Sequence, residues 1–176
     1  MVLALVLSSA LSAPFDLTAW NAERLQTERV GMTVLGSWAV ANMAAGAVGF
    51  AVAKDERTRW VFLGSLLWNT VNLGLALAAL IPNWKADPAA PDAKSSLTIS
   101  ERNEKVFWVN AGLDVAYLAG AAFLWQRGLG TTDERMVGLG QALLLQGAFL
   151  LVFDTVMAVL NGVHTDKLVA GVSLSF

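Results

Sequence analysis

The sequence predicts an all-α protein, with four transmembrane helices in an up-down-up-down bundle and a helical N-terminal extension. Hydrophobic residues make up 56% of the 176-residue chain and charged residues only 15%. Soluble domains average about 25% charged residues, so this composition favours lipid as the solvent. Four apolar stretches each reach the roughly 20 residues that a helix needs to cross hydrocarbon.

The four spans define one transmembrane domain, residues 14–163. Two short charged turns separate the first span from the second and the third from the fourth, which favours antiparallel neighbours. The spans are expected at residues 30–53, 60–81, 106–126 and 136–161.

The N-terminal residues 1–13 are apolar but too short to span a bilayer. Two interpretations stay open: a secretory signal peptide that is removed, or a retained apolar N-terminus. Asp16 is the expected N-cap of a charged helical lead-in, residues 17–29, that continues into the first span. A C-terminal tail, residues 164–176, follows the last span.

Proline, glycine and capping motifs predict where several helices begin and end. Pro82 is expected to stop the second span. The third helix is expected to open at the capping-box motif Thr98-x-x-Glu101. Gly162 is the expected C-cap of the fourth helix.

Asp114 and Asp154 are carboxylates deep inside apolar runs. An Asp near the centre of a spanning helix costs about 2.5–3.5 kcal/mol on insertion scales, so it normally faces protein or a water-filled cavity. Antiparallel pairing of the third and fourth helices places Asn110 level with Asp154, and Asp114 level with Gln146. We therefore expect each carboxylate to meet an amide on the other helix.

Amides also lie near the middle of the first two spans, at Asn42, Asn69 and Asn72. Antiparallel pairing places Asn42 level with the other two, which predicts a polar layer across the bundle. Two roles remain open for the polar set. The residues either specify helix pairing by hydrogen bonds, or the two carboxylates bind an ion or relay a proton.

Small residues predict where helices approach each other closely. Gly46 and Gly49 give the first span a small face. Gly112 and Gly120, with Ala116 between them, form a small-xxx-small row on the third span.

The remaining composition argues against several chemistries. The chain has no Cys and a single His, His164, which lies beyond the last predicted span as an exposed residue. A zinc site therefore lacks ligands, and no Lys lies mid-span to hold retinal. The net charge of −2 offers no basic patch for nucleic acid. We expect no cofactor, no metal and no enzymatic activity.

Three segments carry a resemblance to a known group of proteins: W-N-T-V-N at 68–72, N-A-G-L-D at 110–114 and Q-G-A-F-L-L-V-F-D at 146–154. The chain resembles an uncharacterised family of small bacterial four-helix integral membrane proteins, and the likeness covers spans two to four. The resemblance implies the four-helix topology and a bacterial membrane location. It implies no activity, because the function of that family is unknown.

These observations lead to two functional hypotheses. The first is a non-enzymatic integral membrane protein that serves as an accessory or structural subunit of a larger assembly or as a homo-oligomer. The alternative is a small channel or transporter-like protein that uses Asp114 and Asp154 for ion or proton passage. Lys and Arg in the two short turns favour a multi-pass topology with the N-terminus on the outer, periplasmic side.

Overall fold

The computed structural model describes residues 15–173, and this part of the chain folds into four long α-helices. The N-terminal segment 1–13, for which a signal peptide was one interpretation, lies outside the described residues. The helices are α1 (Leu17–Val52), α2 (Glu56–Lys85), α3 (Ala93–Thr131) and α4 (Glu134–Ser173). The all-helical, four-helix prediction is confirmed for the described residues.

All four helices are long and apolar enough to cross a membrane, by length and composition. This suggests a multi-pass membrane protein. With 30 to 40 residues each, the helices exceed the roughly 20 residues that hydrocarbon requires. α1, α3 and α4 are the longest, and each extends beyond its predicted span.

The structure agrees with one predicted helix start and corrects two predicted helix ends. The lead-in continues into the first span without a break, and Asp16 caps it by accepting a hydrogen bond from Ala19 N at 2.9 Å. Pro82 lies inside α2, which ends at Lys85. Gly162 lies inside α4, so most of the predicted tail is helical as far as Ser173.

α3 begins earlier than the capping-box motif predicted. Asp92 is its N-cap and accepts a hydrogen bond from Ser95 N at 2.8 Å. Hydrogen bonds from the Ser95 side chain and backbone hold the pKa of Asp92 below its usual range. Thr98 consequently lies in the second turn of α3, where its hydroxyl donates to Lys94 O.

Contacts at the helix ends define two ends of the molecule. At the end called here the turn end, Arg57 at the start of α2 donates two hydrogen bonds to Glu134 at the start of α4, at 2.6 and 3.1 Å. At the opposite end, called here the loop end, Trp20 Nε1 donates to His164 O at 3.1 Å. The 86–92 connection between α2 and α3 lies at the loop end, since Arg29 binds the neighbouring Asn83 O.

The distribution of polar and apolar side chains is the reverse of that in a soluble protein. Large apolar side chains are exposed on every helix, including Val48, Val71, Phe123 and Val152, each 63 to 68% exposed. Amide side chains are completely buried instead, at Asn21, Asn69, Gln146 and Asn161. A soluble monomer rarely exposes this much contiguous apolar surface, whereas a bilayer accommodates it.

Glycines set the closest helix contacts. A Cβ at Gly46 would lie 2.8 Å from Phe62 O, and one at Gly49 would clash with the Phe62 ring. α1 and α2 therefore approach closely at these positions, backbone against backbone at Gly46 and backbone against an aromatic ring at Gly49. The expectation for Gly112 and Gly120 is not met within this chain: among the described residues, no heavy atom lies within 4 Å of a Cβ built at either one.

Candidate functional site

The candidate functional site is a cavity of about 830 Å³ bounded by all four helices. It exists because α3 packs chiefly on α4, while α2 packs on α1 and α4, which leaves α2 and α3 apart over most of their length. Trp68 of α2 and Tyr117 of α3 bridge the gap, with ring centroids 5.2 Å apart in an edge-to-face arrangement. The volume lies within the range of about 300–1,000 Å³ that is typical of small-molecule sites.

The cavity opens laterally between α2 and α3. Val71 and Leu75 form its rim on α2 and are 63% and 59% exposed. Val106 and Leu113 form the opposite rim on α3 and are 49% and 46% exposed. The rim is apolar, so the opening suits a molecule that arrives from an apolar phase.

Asp114 and Asp154 line this cavity together. They are only 3% and 6% exposed, and each lies near the middle of its helix. The two carboxyl groups are neighbours that interact electrostatically, and Asn110 is a polar neighbour of Asp154. Two neighbouring buried carboxyl groups can share a proton or bind one cation, because both cannot easily remain ionised and uncompensated at a short separation.

Three buried polar atoms of residues that line the cavity have no hydrogen-bond partner among the described residues. One is the acceptor Asp114 Oδ2, and the others are the donors Trp68 Nε1 and Arg24 Nε. A buried polar group without a partner costs about 1–3 kcal/mol. Such groups beside a cavity are candidates for contact with a bound molecule or water.

Asn72 also faces the cavity and is 4% exposed. Its Nδ2 donates to Asn69 Oδ1 at 3.3 Å, and Asn69 Nδ2 donates to Ser65 O at 2.8 Å. Asn69 therefore orients the Asn72 side chain through a hydrogen bond within α2.

The predicted polar layer divides into separate clusters. The pairing of depths predicted that Gln146 meets Asp114, and this prediction is wrong. Its Oε1 accepts from Trp38 Nε1 at 2.9 Å, and its Nε2 donates to Asn42 Oδ1 at 3.1 Å. Asn42 consequently pairs with α4 rather than with Asn69 or Asn72, and this α1–α4 cluster does not line the cavity.

At the loop end, the cavity is bordered by a buried ion pair that the sequence analysis missed. Arg24 Nη1 donates to Glu28 Oε1 at 2.7 Å, and both side chains are more than nine-tenths buried. Glu28 also accepts from Asn103 Nδ2 at 2.6 Å and from Asn83 Nδ2 at 2.9 Å. The spacing of Arg24 and Glu28 by one helical turn was the signal that could have revealed this pair.

His164 is buried, contrary to the expectation of an exposed residue. It is 4% exposed, and its Nε2 lies 3.0 Å from Thr27 Oγ1. The Trp20 ring packs edge-to-face on it at 6.2 Å. The helix that the sequence ended at Gly162 continues through His164, which is why this contact between α4 and α1 was not foreseen.

Among the residues that the structure describes, 15–173, there is no group of three His, Cys, Asp or Glu side chains that could hold a metal ion. The carboxyl pair is supplemented by amides, not by further ligands of those types. The cavity thus combines the pair of Asp114 and Asp154 with amide side chains and an apolar opening.

This arrangement defines a class of protein: a four-helix protein with candidate membrane spans and a carboxyl pair in a lateral cavity. The chain belongs to DUF6992, a family of unknown function, whose model matches residues 34–155. Membership confirms the prediction of an uncharacterised family. The matched region includes Asp114 and Asp154 and leaves out Arg24, Glu28 and His164.

No curated protein and no solved structure matches the chain.

Proposed function

We propose that this chain is a non-enzymatic, transporter-like membrane protein in which Asp114 and Asp154 bind a proton or a cation. The observation that supports it is the pair of buried carboxyl groups that line one cavity. Intramembrane carboxylates in other proteins mark ion pathways and proton relays. A purely structural pair would be expected to have its polar atoms satisfied, whereas Asp114 Oδ2 has no hydrogen-bond partner among the described residues.

The non-enzymatic part of the proposal rests on where the reactive side chains lie. His164 packs between Trp20 and Thr27 and is not one of the residues that line the cavity. A general base and a nucleophile within hydrogen-bond reach of each other are the usual requirement for covalent catalysis. The cavity offers instead an acidic pair, which suits binding and release.

The topology proposed is up-down-up-down across a bacterial membrane, with the N-terminus outside. The ion pair between Arg57 and Glu134 supports it, because it brings both short turns to one end of the molecule. These turns carry Lys and Arg in few residues, as cytoplasmic segments do. The proposal of a removed signal peptide at residues 1–13 fits the same orientation.

Proton flux in proteoliposomes tests the proposed function. Vesicles that contain the protein and a trapped pH-sensitive dye are given a pH step. We expect carboxylate-dependent flux that is lost when Asp114→Asn and Asp154→Asn are combined. Asp166→Asn, an exposed position on α4, is the matched control and should keep the native flux. Flux that the double variant retains would contradict a role for the pair.

A second proposal is that the protein is an accessory subunit or a homo-oligomer. The specific observation is the row Gly112, Ala116 and Gly120, which is exposed on α3 and has open space beside both glycines. Such rows let helices approach closely in membranes. Purification in mild detergent tests it: a discrete complex that Gly112→Leu disrupts would support it, and a monomer would refute it.

A further inference from the structure

We infer that the cavity takes a lipophilic organic cation, with its charged centre beside Asp114 and Asp154 and its apolar body between α2 and α3. This inference rests on the proposed function, in that the carboxyl pair must bind a positive species. It goes further by naming the chemical class of the ligand and its route of entry.

Basic side chains line the cavity only at its loop end, where Glu28 and Asp87 also lie. The cavity is lined by two basic residues, Arg24 and Arg102, and both belong to its loop end. Arg102 precedes Asp114 on α3 by enough residues to place them about 18 Å apart along the axis, at about 1.5 Å per residue. Arg24 is already paired with Glu28. The inner end therefore presents carboxyl groups and amide dipoles, with no basic side chain beside them among the residues that line the cavity.

Aromatic rings share the wall with these carboxyl groups. Trp68, Phe107, Tyr117 and Phe153 all line the cavity, and Phe107 and Phe153 pack edge-to-face at 6.3 Å. Ring faces attract organic cations by about 0.5–2 kcal/mol in other proteins, more when the site is desolvated. Carboxylates combined with aromatic rings are thus suited to a cation that has a soft, alkylated or arylated surface.

The size and the walls of the cavity argue against a bare inorganic ion. Alkali and alkaline-earth ions need several oxygen ligands around them, whereas most of this wall is hydrocarbon, from residues such as Val71, Leu75 and Leu113. A volume of about 830 Å³ accommodates a molecule of drug-like size. An apolar body would cover the walls and leave only its charged centre to meet the carboxyl pair.

The lateral opening between α2 and α3 provides the route by which the ligand enters the cavity. Its rim residues are apolar and exposed on both α2 and α3, so in a bilayer they contact acyl chains. A lipophilic cation partitions into the bilayer, and the opening admits it from there. The buried carboxyl pair then favours the cation over a neutral molecule of the same shape.

Equilibrium dialysis with tetraphenylphosphonium tests the inference on the full-length protein in detergent. Tetraphenylborate serves as a probe of the same shape and opposite charge. We expect saturable binding of the phosphonium and none of the borate. The combined Asp114→Asn and Asp154→Asn changes should weaken phosphonium binding at least about tenfold, while Asp166→Asn should leave it unchanged.

A second variant keeps the test independent of the carboxyl groups and of their effect on folding. Leu75→Trp places a bulky ring at the rim of the cavity and should abolish binding with both Asp residues intact. Leu77→Trp, on the same helix, is exposed and does not line the cavity, so it should bind as the native protein does. Equal loss in both Trp variants would contradict the assigned site.

The outcomes separate this inference from the proposed function. Equal binding of the phosphonium and the borate, or native phosphonium binding by the double Asn variant, would overturn the inference. No phosphonium binding, together with carboxylate-dependent proton flux, would overturn the inference and leave the proposed function intact. Absence of both would remove the two together.

Discussion

Arg24 and Glu28 show how this fold treats charged side chains. Their mutual hydrogen bond is 2.7 Å long, and the amides of Asn83 and Asn103 satisfy the remaining capacity of the carboxylate. A buried ion pair stabilises a fold little in net terms, because desolvation offsets the attraction. Removing one partner is costly, since it leaves the other charge buried and unpaired.

The first prediction follows from this asymmetry. Arg24→Met should destabilise the protein by about 3–5 kcal/mol, because it leaves the Glu28 carboxylate buried without its cationic partner. Combining it with Glu28→Leu should restore most of the loss. Thermal unfolding in detergent, followed by circular dichroism, measures both. Equal instability of the single and double variants would show that the pair acts through its volume rather than its charges.

Sequence reasoning placed Asp154 level with Asn110 and Asp114 level with Gln146, and the second pairing is wrong. The reason is rotation around α4. Residues eight apart on a helix differ by about 80° in direction, so Gln146 and Asp154 face different neighbouring helices. The depth of a residue in the bundle does not reveal this difference in direction. Gln146 points to Trp38 and Asn42 of α1, whereas Asp154 faces α3. Depth is readable from sequence, but the choice of neighbouring helix is not.

At the scale of the element, glycines occupy two different structural environments in this chain. Gly46 allows α1 to lie directly on the Phe62 carbonyl of α2, whereas Gly112 faces open space. Both glycines have small residues near them on the same helix, so only the packing of neighbouring helices shows which of them lies in a close contact.

These two glycines give a matched pair of variants. Gly46→Leu should destabilise the protein in detergent by about 1–3 kcal/mol or more, because extra atoms are forced into a closed contact. Gly112→Leu should leave the melting temperature of the isolated chain unchanged. Differential scanning fluorimetry measures both. A large loss from the Gly112 change would instead indicate a partner on that face of α3.

Helix ends were the least predictable elements. Pro82 removes one backbone donor, yet α2 continues for three more residues because Arg29 holds the Asn83 carbonyl at 3.0 and 2.6 Å. Gly162 lies within α4, where a Cβ would approach the Glu104 carboxylate of α3 at 3.3 Å. In both places a tertiary contact overrides the local signal, and a local signal is all that the sequence displays.

At the scale of the whole molecule, the number and order of the helices were predictable because apolar length is a strong signal. The cavity was not, since it depends on α3 packing against α4 while standing away from α2. The loop end is longer than predicted, because α3 begins before Thr98 and α4 continues past Gly162. The buried polar residues of this end, such as Asn21 and Ser96, joined at 3.0 Å, resemble solvated positions when the chain is viewed alone.

The central claim is that lipid surrounds the apolar faces of the four helices. The chain has no Cys, so single cysteines at Val48, Val71, Phe123 and Val152 can carry spin labels in liposomes without background. We expect high accessibility to oxygen and low accessibility to a water-soluble nickel chelate at all four positions. High accessibility to the nickel chelate at these positions would show that water, not lipid, covers them, and would contradict the account.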